Sequence, residues 1–108
     1  MLPNELELRA VIRQLHDLPF PSSETSNEDV GELHAELVEF DGYVNGLLRQ
    51  VLRGETPSHP LEHDPELRSK LECARDCAST HERSKITDFL AYFDLLEHAI
   101  DVARRTRG

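Results

Sequence analysis

One row of side chains limits what this chain can fold into. Val30, Leu33, Leu37, Phe40, Val44, Leu47 and Val51 follow one another at intervals of 3, 4, 3, 4, 3 and 4 residues. A strand would repeat every second residue, so this row reads as one face of a helix. A repeat averaging 3.5 is the seam of a coiled coil or a helical bundle. Val38, Leu48 and Leu52 widen the stripe. The spacing predicts a helix that starts near Ser26, with Glu28 and Asp29 in its first turn, where acids suit the helix dipole. Gly54 is placed to end it, with Pro57 just beyond. Such a helix of about 28 residues is roughly 42 Å long.

Beside this seam lie Gly31, Ala35, Gly42 and Gly46, also at helical intervals. Each glycine inside a helix costs about 0.5–1 kcal/mol relative to alanine. Close approach of another helix would offset that cost, and this is the expectation. The alternative is a kink at Asp41-Gly42.

The flanking segments are helical too. Leu8, Val11, Ile12, Leu15 and Leu18 follow helical spacing, and Asn4 with Glu7 forms a candidate capping box. Pro19-Phe20-Pro21 ends this first, short helix. Asp64-Pro65-Glu66 opens another after a loop over 55–63: Asp as the cap, Pro at the first helical position. Beyond Pro65 neither Gly nor Pro recurs before Arg107. Leu67, Leu71, Ala74, Ala78, Glu82, Ile86, Phe89, Phe93, Leu96, Ile100 and Ala103 cover 36 residues in ten steps. That average is the 3.6 of an undisturbed helix. The phase favours one long helix over 65–106, antiparallel to the second helix. The alternative is two helices broken near 79–84, with Ser79 and Glu82 as a capping box. In either form the fold class is all-α, a small helical bundle forming a single domain over 1–108.

The long-helix reading has a consequence. An arm over 65–85 would touch only the Leu47–Leu52 end of the second helix and leave apolar surface uncovered. A second copy is the simplest cover, since two-fold dimers are the commonest oligomers. The expectation is a homodimer with Leu47, Val51, Leu67 and Leu71 at its interface.

Charge narrows the function. The net charge is −9, and residues 1–64 carry all of it. From Glu24 to Asp41 there are seven acids and no base. A phosphate backbone needs a basic surface, so nucleic acid is not an expected partner. The basic tail of Arg104, Arg105 and Arg107 suits a helix C-terminus. No apolar run approaches the ~18 residues of a membrane span. The acidic start, with Glu5 and Glu7, lacks the basic and apolar pattern of a signal peptide, so a cytoplasmic location is expected.

Three constellations are candidate sites. Glu32, Glu36, Glu39 and Asp41 form an acidic face that could dock a basic protein partner, charge speeding the encounter. Cys73, Cys77 and His81 would share one face of a continuous helix and offer three zinc ligands, but cysteine is also a small, commonly buried residue. Glu36-x-x-Glu39 and Asp94-x-x-Glu97 are loosely similar to the paired acidic motifs with which helical nucleotide pyrophosphohydrolases hold magnesium. That resemblance implies a metal-dependent hydrolase as the alternative function. The Glu-x-x-His pair of di-metal bundles is absent, Glu97 and His98 being adjacent. No glycine-rich phosphate loop occurs, no nucleophile has a readable base, and no cofactor is expected. The reading of choice is an interaction module rather than an enzyme.

Overall fold

The computed structural model describes residues 4–22 and 27–107. Among them are four helices and no strand: α1 Glu5–Asp17, α2 Glu28–Leu52, α3 Pro65–Cys77 and α4 Thr80–Arg107. They form a bundle of 47 × 24 × 17 Å. No helix among the described residues is long and apolar enough to cross a membrane.

The α2 seam is buried along its whole length, from Val30 to Val51. Ser26, the expected start, lies outside the described residues. The Asn27 side chain caps the helix, accepting from the backbone N–H groups of Asp29 at 2.9 Å and Val30 at 3.4 Å. At the other end Gly54 takes a positive φ of 76°. Its N–H bonds to the Val51 carbonyl and that of Glu55 to the Gln50 carbonyl. This pair of bonds is a Schellman motif, and it satisfies carbonyls the helix would otherwise leave open.

α3 opens as the sequence predicts. Asp64 accepts from the Leu67 N–H at 3.0 Å, and Pro65 occupies the first turn. α1 does not. Asn4 sits in the left-handed region at φ 60° and its side chain makes no cap bond. The Asn4–Glu7 capping box is therefore not formed. Glu7 instead pairs with Arg105 across the bundle at 2.9 Å. After α1, Leu18 is extended, as a residue before proline should be. Phe20 then packs edge-on between His34 and Tyr92. His34 Nε2 lies 2.9 Å from the Pro21 carbonyl, which ties the linker to α2.

The single helix over 65–106 is corrected to two. The chain breaks at Ala78, which is extended at ψ 155°. Ser79 follows, and its carbonyl accepts the first helical bond of α4 from Arg83 at 2.8 Å. The Arg83 guanidinium reaches back to the carbonyls of Arg75 and Ala78, at 3.3 and 3.5 Å, where α3 has run out of N–H donors. Straightening would carry Leu67 and Leu71 away from the bundle. The break instead buries both.

Directions follow from contacts. His34 meets Phe89 and Phe40 meets Phe93, so α2 and α4 run parallel. Glu7 meets Arg105 and Phe20 meets Tyr92, so α1 runs antiparallel to α4. α3 is antiparallel to both α2 and α4, so the antiparallel partner of α2 is α3 rather than the last helix. α3 lies beside the Asp29–Tyr43 stretch of α2, where Lys70 contacts Glu36, which corrects the expectation of contact at the Leu47–Leu52 end alone. α4 packs against all three other helices.

Two further expectations are corrected. Leu47, Val51, Leu67 and Leu71 are 4% exposed or less within one chain. Their apolar surface is already covered, so they are not free to form a dimer interface in this fold. The glycines beside the seam are not approached by another helix. A Cβ built on Gly31, Gly42 or Gly46 would meet no atom within 4 Å.

These glycines yield a stability test. Gly42→Ala and Gly46→Ala should each stabilise the protein by about 0.5–1 kcal/mol, because the helix gains propensity and nothing clashes. Gly54→Ala should instead destabilise it by about 1–2 kcal/mol, because its left-handed conformation is strained for an L side chain. Urea midpoints of the three variants check both signs.

Candidate functional site

α2 and α3 lie side by side and leave a furrow between them. Glu36, Glu39, Phe40 and Tyr43 line it from α2, and Glu66, Leu67 and Lys70 from α3. The strap that joins the two helices closes one end with Glu62, His63 and Asp64. This part encloses about 600 Å³. A second hollow of about 590 Å³ continues along the same two helices, lined by Asp29, Glu32, Leu33, Glu36, Lys70 and Cys73, among others. Glu36 and Lys70 line both hollows, and their 2.8 Å ion pair is a bridge between them.

The furrow is acidic because of where the chain turns. Residues three and four apart on α2 share a face, which brings Glu32, Glu36 and Glu39 to one wall. Asp64 and Glu66 stand at the start of α3, where acids suit the dipole and the cap. The strap adds Glu62. Five carboxylates thus surround the larger hollow, with Lys70 the one fixed cation in its lining. Glu36 and, at 3.8 Å, Glu66 contact Lys70, and Asp64 is held by its cap bond. The hydrogen bond that Lys70 donates to Glu36 raises the pKa of its ammonium, and the charge of the same carboxylate adds to it. Glu39 and Glu62 are exposed and make no ion pair among the described residues.

The floor is aromatic. Phe40 is buried, and Tyr43 stacks on it at 6.4 Å between centroids. Tyr43 also contacts the His59 ring and donates to the Pro60 carbonyl at 2.9 Å. This fixes the strap over the floor, while Tyr43 stays 38% exposed.

Behind the strap lies a charged cluster that holds it down. Glu97 on α4 is buried at 7% exposure. Arg68 donates to it through Nε at 3.1 Å and through Nη2, and through Nη2 to Asp94 as well. The Arg68 guanidinium also lies 5.1 Å over the Phe93 ring. Hydrogen bonds to Glu97 and Asp94 raise its pKa further above its already high value. His63 on the strap contacts Glu97 through Nδ1 at 3.2 Å and Asp101 through Nε2 at 2.8 Å. Arg104 donates to the Leu61 carbonyl, and the Leu61 side chain is buried.

The sequence-derived sites fare differently. Glu32, Glu36 and Glu39 do line one furrow. Asp41 does not. It lies on another side of α2, where it accepts from the Tyr92 hydroxyl at 2.7 Å and from Asn45 at 2.9 Å. The four carboxylates of the hydrolase reading do not converge: Glu36 is turned to Lys70, and Asp94 and Glu97 to Arg68. Cys73 and Cys77 are exposed free thiols on α3, and the break separates them from His81 at the start of α4. Among the described residues no group of three or more His, Cys, Asp or Glu side chains is arranged to hold a metal ion. Lys70, Tyr43, Glu62, Asp64 and Glu66 belong to the furrow and were not among the sequence candidates. Glu62, Asp64 and Glu66 recur at every second residue through the Pro60–Pro65 turn, a signal that was there to be read. The chain matches no protein-family model, no curated protein and no solved structure.

Two measurements test this geometry. Arg68→Ala should cost roughly 1–3 kcal/mol, the cost of under-satisfying a buried polar group, since the buried Glu97 carboxylate then keeps only its His63 contact. Urea denaturation reads this, and Arg13→Ala, at an exposed position of α1, is a surface control. Tyr92 is held neutral first by burial and then by its bond to Asp41, which raises its pKa. In a Tyr43→Phe variant it is the one remaining tyrosine. Its tyrosinate absorbance should therefore stay silent above pH ~10, where a free phenol ionises. The stability it contributes is full below that pH and falls above it, as the unfolded chain gives up the proton the native state keeps.

Proposed function

We propose that this chain is a protein-interaction module whose α2–α3 furrow takes a basic segment of a protein partner. The observation that carries the reading is the lining of the larger hollow. Five carboxylates stand around an exposed tyrosine, and a single lysine opposes them. Glu39 and Glu62 offer charge without an internal partner to displace. An arginine or lysine entering here would lay its methylene stem on Tyr43 and direct its head to these two carboxylates. Charge complementarity of this kind speeds encounter and sets orientation more than it adds affinity. The partner is therefore expected to be bound in a salt-dependent way.

The test uses labelled peptides rich in Arg and Lys, with neutral peptides of the same length as controls. Binding to the basic peptides should weaken as salt is raised. The combined variant Glu32→Lys, Glu36→Lys and Glu39→Lys should lose on the order of tenfold or more of the affinity. A second variant, Glu39→Lys with Glu62→Lys, changes only carboxylates that make no ion pair among the described residues. Circular dichroism confirms that each variant is folded. Binding that ignored both salt and charge reversal would overturn the proposal.

A further inference from the structure

The turn between α3 and α4 is two residues long, Ala78 and Ser79. That is the short end for a helical hairpin, and such turns often contain a glycine. Here the sequence has no Gly or Pro from Glu66 to Arg107. The apolar row from Leu67 to Ala103 keeps helical phase straight through the turn, ten steps in 36 residues. Local sequence and tertiary fold therefore disagree at this point. The sequence there is compatible with a continuous helix, and the bend is held by what α3 and α4 bury together.

What α4 buries is available in one other way. We infer that α4 exchanges between two copies of this chain, Ala78 and Ser79 becoming helical so that α3 and α4 join into one rod. In that dimer, α4 of each copy lies against α1, α2 and α3 of the other. The packing of the closed chain is remade between copies. The partner's Asp94 and the partner's Glu97 would receive Arg68, and the partner's Phe93 would pack on Phe40. Bonds that belong to the bend itself are given up, among them the two from Arg83 to the carbonyls of Arg75 and Ala78 and the one from the Ala78 N–H to the Arg75 carbonyl. In a continuous helix those carbonyls take ordinary backbone donors instead. A short hinge whose residues favour extension is the condition under which exchange competes with closure. The turn is what joins α4 to α1, α2 and α3, so α4 can leave them as a unit. The furrow is built from α2, the strap and α3 alone, so this inference does not rest on the proposed function.

The exchange requires α4 to leave its own bundle, so it is set during folding. The experiment unfolds the full chain in urea and refolds it at low and at high concentration, with native mass spectrometry as the readout. The chain should return as monomer when dilute and gain a dimer when concentrated. Mixed dimers of light and isotope-labelled chains should form only when the two are unfolded together. Ser79→Ala with Arg83→Ala should raise the dimer fraction severalfold, since it favours the straight hinge and removes the bonds that hold the bend. Insertion of Gly-Gly-Ser between Ala78 and Ser79 should abolish the dimer by letting the hairpin close freely. A wild-type chain and a Ser79→Ala, Arg83→Ala chain that are both monomeric at every concentration would overturn the inference. So would a dimer that survives the insertion, which would be joined through its surface instead.

Discussion

Everything in this bundle leans on how much of its circumference α4 buries, with one largely polar stripe from Thr87 through Ala91, Asp94, His98 and Asp101 to Arg105 left to solvent. From Ile86 to Thr106 it buries Phe89, Phe93, Leu96, Ile100 and Val102 almost completely, on more than one side. A helix apolar over so much of its circumference needs neighbours on several sides to cover it. Three antiparallel or parallel neighbours do this, and they meet one another less than they meet α4. The same burial dictates the polar contacts. Each polar group that α4 carries into the core needs a partner, because an unpaired one costs roughly 1–3 kcal/mol. The Tyr92 hydroxyl finds Asp41, Glu97 finds Arg68 and His63, and the Thr106 hydroxyl finds the Val102 carbonyl. No buried side-chain nitrogen or oxygen among the described residues lacks a partner. These bonds are also what hold α2, α3 and the strap in register on α4.

Periodicity made much of this readable in advance. The seven-residue row of α2 is local information, and it is buried end to end. The Asp64-Pro65 start and the Gly54 stop are likewise settled by residues within one turn. The α3–α4 break was not readable in the same way. Ala74, Ala78, Glu82 and Ile86 are helix-compatible, and no local residue forbids the helix to continue. What bends the chain is the chance to bury Leu67 and Leu71 against α2 and α4, a gain that spacing along one segment does not reveal. The error over the break produced the error over Leu47, Val51, Leu67 and Leu71, which a straight arm would have left exposed. The glycines misled for a different reason. Their cost in a helix is real, but a cost does not by itself prove a compensating contact, and open space surrounds them.

The acidic face shows the same division. Glu32, Glu36 and Glu39 fall on one wall because steps of three and four residues return to one side of a helix. Asp41 belonged to the same run of charge but not to the same side, since nine residues at 100° each carry it half a turn round from Glu32. Its role is to receive Tyr92. The opposite wall was invisible, because Lys70 and Glu66 reach the furrow only once α3 has folded back. Arg68 and Glu97, 29 residues apart, are joined by the same event.

Lys70 gives the furrow its own internal measure of what it accepts. The ammonium lies 2.8 Å from Glu36 and 3.8 Å from Glu66, so carboxylates from both walls already gather around one cation. Its raised pKa means that the folded chain favours the charged ammonium more than water does. The pair is half exposed, so its net worth to stability is small. Its value as an indicator is larger. Among the described residues nothing comparable neutralises Glu39 and Glu62, although they border the same hollow. A guest cation there would meet a potential of the same sign and the flat face of Tyr43, without first displacing an internal partner. The proposed docking thus extends outward an interaction that the chain already makes within itself, and Lys70 marks the boundary between the part of the furrow the fold uses and the part it leaves open.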